Sequence, residues 1–266
     1  MSNRLAVSGV RLRPIALPME HGGWGFLLEP ILLGLILAWS GRGLALSLAA
    51  IAGFLLRQPL KVWWSDVVAS RAIPRTRVAI AIAVVYGVIG AAGAVLAFRG
   101  ALDAGAPLLY ASPLVALLLW FDARGRSRDL VPELVAPVAL ASVAASIAML
   151  GGWPRTSALA LSALLALRAF PSVLYVRSRL RLEHGRDPNR YVPLAVHAVA
   201  VAIVLWIARI GLVPVWVPLL YALLLLRCWA GLSSLRRRFG ARSVGFSEVR
   251  WGTIAVIWIA LAFRLA

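Results

Sequence analysis

The chain has 266 residues, 62% of them hydrophobic, and a mean hydropathy of +0.88; soluble globular domains carry about half apolar residues, so this composition excludes one and belongs in a bilayer. Its 28 basic against 10 acidic residues give a formal net charge of +18, and every basic residue except Lys61 is arginine. A nucleic-acid-binding protein can be this basic, but here the arginines come in short clusters between apolar stretches of membrane-spanning length, roughly 17–25 residues, which points away from nucleic acid and toward anionic lipid headgroups.

Residues 1–20 form a short N-terminal segment with Arg4, Arg11 and Arg13 but no apolar run of the kind a cleavable signal needs. The first apolar helix is therefore expected to stay in the membrane as its own insertion signal. Apolar spans lie near residues 23–40, 43–64, 78–98, 104–121, 130–151, 157–176, 191–209, 213–233 and 249–264. The reading is an all-α, polytopic bundle of nine transmembrane helices forming one domain over residues 1–266. Cytoplasmic loops collect Lys and Arg. With the N-terminus inside, nineteen arginines fall in cytoplasmic segments and only Arg42, Arg99, Arg155, Arg209 and Arg264 fall outside, which gives an N-in, C-out topology.

The first span opens with PMEHGGWGFLLEPILLGL, residues 18–35. His21, Gly25 and Glu29 recur every fourth residue and share one helical stripe, with glycine leaving room between the two polar groups. Glu29 lies about 12 Å deeper than His21 at 1.5 Å per residue, where a carboxylate needs a proton or a cation, and Arg57 and Arg168 are the candidate partners. Glu20 follows Pro18 and reads as a first-turn acid that offsets the helix dipole.

The second span ends RQPLKVWWSDVVASRAIPRTR. Arg57 and Lys61 are four residues apart and repel each other unless something negative lies between them. A ligand phosphate or carboxylate, Asp66 or Glu29 could supply that charge. Trp63 and Trp64 place Asp66 at headgroup level. The sixth span ends LRAFPSVLYVRSRLRLEHGRD, in which Arg177 and Arg181 share a face, Arg179 points away from them, and Pro171 is expected to kink the helix. A guanidinium pair on one face suits capture of phosphate or carboxylate, although a basic loop bound to lipid headgroups has the same appearance.

Arg57, Lys61, Arg168 and Arg227 lie inside spans, all in the cytoplasmic half together with Glu29. Intramembrane charges face a partner or a wet cavity, so a polar cavity open to the cytoplasm is expected. His197 and Cys228 read as packing residues, and Glu133 after Pro132 reads as another helix-start acid. A single cysteine excludes an internal disulfide and any multi-cysteine metal site.

PMEHGGWGFLLEPILLGL, FLLRQP at 54–59, the RTR at 75–77 and RSRLRLEHG at 177–185 resemble the YwiC-like family of bacterial membrane proteins. That resemblance implies a bacterial cytoplasmic (inner) membrane location. The helix count and the positions of the polar loops are more distantly similar to the UbiA superfamily of intramembrane prenyltransferases. What that likeness implies is a UbiA-like nine-helix bundle whose aspartates hold Mg²⁺ against a polyprenyl diphosphate. It implies an isoprenoid or quinone-type substrate; on this chain Arg57, Lys61, Arg168, Arg177 and Arg181 are then expected to hold the head, Asp66 to orient them or bind one metal, and His21 with Glu29 to move protons as catalytic residues. The sequence departs from the superfamily's motifs. Ser65-Asp66 stands for Asn-Asp, Ala69 for the next aspartate, and Arg177 and Arg181 for the second acidic pair. Two divalent cations need several oxygen ligands, and Asp66 offers a single carboxylate. A lipid or quinone binder, or an assembly partner, that kept the bundle without the metal chemistry is the alternative. A transporter would need polar residues continuing into the outer half, whereas the intramembrane charges stop on one side.

Overall fold

The computed structural model describes residues 6–7, 10–18, 21–70, 73–234, 236 and 240–266. Glu20, and Arg4, Arg71, Arg237 and Arg238 among the arginines that set the orientation, lie outside the described residues. The chain runs through β1 (Ala6–Val7), β2 (Val10–Arg11), α1 (Arg13–Ala16), α2 (His21–Leu37), α3 (Gly41–Val68), α4 (Pro74–Phe98), a 3₁₀ turn (Leu102–Gly105) and α5 (Ala106–Ala123). It continues through α6 (Leu130–Leu150), α7 (Arg155–Glu183), α8 (Tyr191–Arg209), α9 (Val217–Leu232) and α10 (Ala241–Leu265). The two-residue strands pair antiparallel, Ala6 with Arg11 and Val7 with Val10, a detail the hydropathy pattern does not carry. The N-terminal segment docks on the bundle, with Ile15 buried, Gln58 donating to the Pro14 carbonyl at 2.9 Å and the Tyr86 hydroxyl donating to the Ala16 carbonyl at 3.2 Å.

Each apolar span expected from the sequence falls on a helix. Among the described residues seven helices are long and apolar enough to cross a membrane, and α2 and α9 are shorter apolar helices of 17 and 16 residues. Helix ends extend beyond the apolar runs where polar flanks continue the turn: α7 runs on to Glu183 and α10 starts at Ala241 rather than near 249. Pro171 lies within a continuous α7. The end of that helix is built by Gly185 at φ +72°, where the Gly185 and Arg186 amides donate back to the Leu182 and Arg181 carbonyls at 3.1 and 2.9 Å. Glycine takes this left-handed position without the steric cost of a Cβ.

The core gathers around α6 and α7. Each buries 56% of its most apolar window, against 11% for α4, which faces outward. Small residues let backbones approach, since lipid supplies no hydrophobic drive between helices and packing must do it. α6 contributes Ala141, Ala144, Ala145 and Ala148, and a Cβ at Gly93 of α4 would lie 2.8 Å from the Ala45 carbonyl of α3. His197 is buried with its Nδ1 2.7 Å from the Pro193 carbonyl, and Cys228 is buried beside Tyr175 and Leu232. Both serve packing.

Candidate functional site

The deepest charges form one network. Arg168 of α7, 2% exposed, donates from Nη1 to both oxygens of Glu29 on α2 at 2.7 and 2.6 Å, and its Nη2 donates to the Glu248 carbonyl of α10 at 3.3 Å. Of the two cations considered for Glu29, Arg168 is the one that meets it. Gly252, one helical turn beyond Glu248, makes the approach feasible: a Cβ there would lie 2.8 Å from the Glu29 carboxyl carbon and 3.0 Å from Arg168 Nη2. The Glu248 side chain pairs with Arg227 of α9, whose guanidinium lies 4.5 Å from the Tyr175 ring centre and 5.3 Å from that of Trp251. α10 thus joins the Glu29–Arg168 pair to Arg227 through a single residue.

This network opens on a cavity of about 420 Å³ between α7, α9 and α10. Arg179, Arg227 and Arg236 share its walls with Tyr175, Trp251 and Ser247, and Leu223 and Leu226 carry the wall along α9. Leu226 is 56% exposed, so the groove is continuous with the apolar outer surface. Arg179, read as pointing away from Arg177 and Arg181, turns into the bundle: it is 3% exposed, donates to the Gly231 carbonyl and holds Glu183 at 2.9 Å. Glu183 and Glu248 stand behind the arginine wall.

The other residues expected at the site form separate clasps. Arg57 Nε and Nη2 donate to Asp122 at the end of α5 at 2.5 and 2.8 Å, Lys61 Nζ lies 3.7 Å from the same carboxylate, and Lys61 also donates to Ser127 at 3.0 Å. The charge between Arg57 and Lys61 is therefore Asp122, which corrects the expectation of Asp66 or Glu29. Asp66 faces a different way. It is 1% exposed and accepts from Arg75 Nη2, from Arg75 Nε at 3.3 Å and from the Thr76 hydroxyl at 2.8 Å, because the turn after α3 brings the first residues of α4 back over it. Arg177 pairs with Glu133 in the first turn of α6 at 2.6 Å, and Arg181 is exposed. Arg177 and Arg181 thus share no carboxylate among the described residues. His21 begins α2, but its side chain lies outside the described residues.

Mg²⁺ prefers carboxylate oxygens in open octahedral geometry. The Asp66 carboxylate is enclosed and engaged by a guanidinium and a hydroxyl, and among the described residues no three His, Cys, Asp or Glu side chains come together. The residues present do not fit the divalent-cation site that the UbiA likeness implies. All nine described carboxylates are in ion pairs with arginine or lysine, so the chemistry this arrangement favours is anion binding by guanidinium.

Asp122, Glu248, Gly252 and Arg179 escaped the sequence reading. Asp122 and Glu248 each lie a single residue beyond an expected span, at 104–121 and 249–264. The Arg179 and Glu183 spacing of four is a helical ion-pair signal present in the sequence.

Residues 17–148 match the family model described as YwiC-like protein. The resemblance carried by the opening stretch and by FLLRQP is thus shown over that region, which covers α2 to α6 and stops before Arg168 and the cavity. No curated protein and no solved structure matches the chain.

Proposed function

We propose that this YwiC-like membrane protein binds an amphiphile with an anionic head in the cavity between α7, α9 and α10. The head rests on Arg179, Arg227 and Arg236, and the tail lies along Leu223 and Leu226 toward the lipid. The observation that carries the reading is the convergence of three arginines, from α7, from α9 and from the segment after it, on a cavity whose other walls, Ser247 apart, are apolar and aromatic. Guanidinium forks match phosphate and carboxylate oxygens, and a low-dielectric surround strengthens each contact.

In this reading all of α2 to α10 cross the membrane in one domain, with the N-terminus and the arginine-rich loops inside and the C-terminus outside. α2 and α9 span about 24–26 Å at 1.5 Å per residue, a little short of the hydrocarbon core, a mismatch that local thinning accommodates. The pairing of residues at matching ends of neighbouring helices, Arg57 with Asp122 and Arg177 with Glu133, supports that alternation. An isoprenoid or quinone-type tail and prenyl transfer are the finer form suggested by the UbiA likeness. Metal-assisted departure of a diphosphate has no part here, because Asp66 is enclosed by Arg75 and Thr76. Glu29 acts as the counter-charge of Arg168, and Arg57, Lys61 and Arg177 act as interhelical clasps.

Native mass spectrometry of the purified protein tests this. The expected outcome is a co-purifying anionic amphiphile that the Arg179→Gln and Arg227→Gln variants retain poorly. Equal retention by folded variants would reject the site.

A further inference from the structure

We infer that the head taken by the cavity carries a single negative charge and is a phosphodiester of the kind membrane glycerolipids carry, rather than a diphosphate. The inference rests on the binding reading above and deepens it.

Charge is costly at the wall of this cavity. Arg179, Arg227 and Arg236 line the cavity. Two of the three already have carboxylate partners behind the wall: Arg179 with Glu183 at side-chain exposures of 4% and 9%, and Arg227 with Glu248 at 10% and 16%. Arg236 has no such partner among the described residues, and its Nε is buried without a hydrogen-bond acceptor. Among the described residues these five groups sum to one positive charge. A buried charge needs compensation in kind, since desolvation is repaid only by a matched and hydrogen-bonded counter-charge. One monoanion completes the set. A diphosphate brings at least one further negative charge, which would have to expel Glu248 from Arg227 and so disturb the residue whose carbonyl holds Arg168.

Two features favour a lipid source over a free anion. The cavity reaches from Arg236, in the segment after α9, along Leu223 and Leu226, and Leu226 opens onto the apolar surface. A phosphodiester at the arginine end thus places its chains where the bilayer already is. The Glu248 Oε2 atom, buried without a partner, lies next to the same wall and repels additional anionic charge.

The test uses full-length protein, stripped of lipid in nonionic detergent, and native mass spectrometry with four probes: a dialkyl phosphodiester lipid, an alkyl diphosphate of the same chain length, dimethyl phosphate and inorganic phosphate. The phosphodiester lipid is expected to bind best, and Arg236→Gln to weaken it by about tenfold, the scale of one charge-assisted hydrogen bond. Glu183→Gln raises the local charge by one and is expected to move the preference toward the diphosphate; Glu248→Gln should do the same if it folds, and Glu183→Gln, farther from Arg168 along α7, keeps the test available if it does not. A diphosphate preferred by the unmodified protein, or a preference that Glu183→Gln leaves unmoved, overturns the inference while the binding reading stands. Dimethyl phosphate or inorganic phosphate binding as tightly as the lipid overturns the lipid source. Failure of every anionic amphiphile to bind removes the reading and the inference together.

Discussion

On α3, Arg57 and Lys61 close on Asp122, and one turn past Lys61 the Asp66 carboxylate disappears under Arg75 and Thr76. On α7 and α9, Arg179 and Arg227 also have carboxylates, but both arginines still line a cavity. The same residue types thus serve two ends, and the side on which the acid sits decides which. An acid between two cations seals a helix contact, whereas Arg179 and Arg227, each paired with one acid, stay part of a cavity wall. The sealed pairs lie in the region matched by the YwiC-like family, residues 17–148, and the open wall lies after it. The two regions are stitched together by Glu29 and Arg168.

Breaking that stitch should have the largest effect. Arg168→Ala or Glu29→Ala leaves one buried charge uncompensated, and stability should fall by about 3–5 kcal/mol. Unfolding in mixed detergent micelles reads this, and replacing both residues by leucine should cost much less than either single change. Next comes Asp66→Ala, which strands the Thr76 hydroxyl and Arg75 at a buried contact and should cost about 1–3 kcal/mol. The same comparison predicts that Mg²⁺ does not raise the melting temperature of the unmodified protein, and a metal-dependent rise abolished by Asp66→Ala would reopen Asp66 as a ligand. Gly252→Ala should cost a similar or slightly smaller amount, about 1–3 kcal/mol, through overpacking against Glu29. Its effect should shrink in the Glu29→Leu, Arg168→Leu background only if the clash is with that pair. The smallest stability effect is expected for Asp122→Asn, about 1 kcal/mol or less because Arg57 and Lys61 are partly exposed, with lipid retention unchanged. Lipid loss in Asp122→Asn would erase the distinction between sealed and open arginines.

The helices were legible because apolar run length and arginine alternation are each carried by many residues. α8 at 191–209 is placed to the residue by the sequence. That Glu29 needs a proton or a cation was legible too, since a bare carboxylate at that depth is costly. Which cation it meets was not, because Arg57 and Arg168 differ only in how α3 and α7 pack around α2. The cavity was hidden for another reason. Arg179 lies on the face away from Arg177 and Arg181, and what covers that face, the approach of Gly231 on α9, where a Cβ would crowd Tyr175, is not written in α7. Spacing along one helix specifies a face, and the neighbour that covers the face comes from elsewhere in the chain. The enclosure of Asp66 is local: Arg75 and Thr76, nine and ten positions on, lie on its oxygens.

The link between Glu29 and Arg168 spans 139 positions of the chain. At a synthesis rate of about 5–20 residues per second, the acid emerges from the ribosome roughly 7–28 s before the arginine that neutralises it. Through that interval α2, short and carrying a carboxylate, has no electrostatic reason to settle in hydrocarbon, and its final seating awaits the arrival of α7. Assembly of this bundle is therefore closed from its far half, with the first apolar helix among the last to be locked.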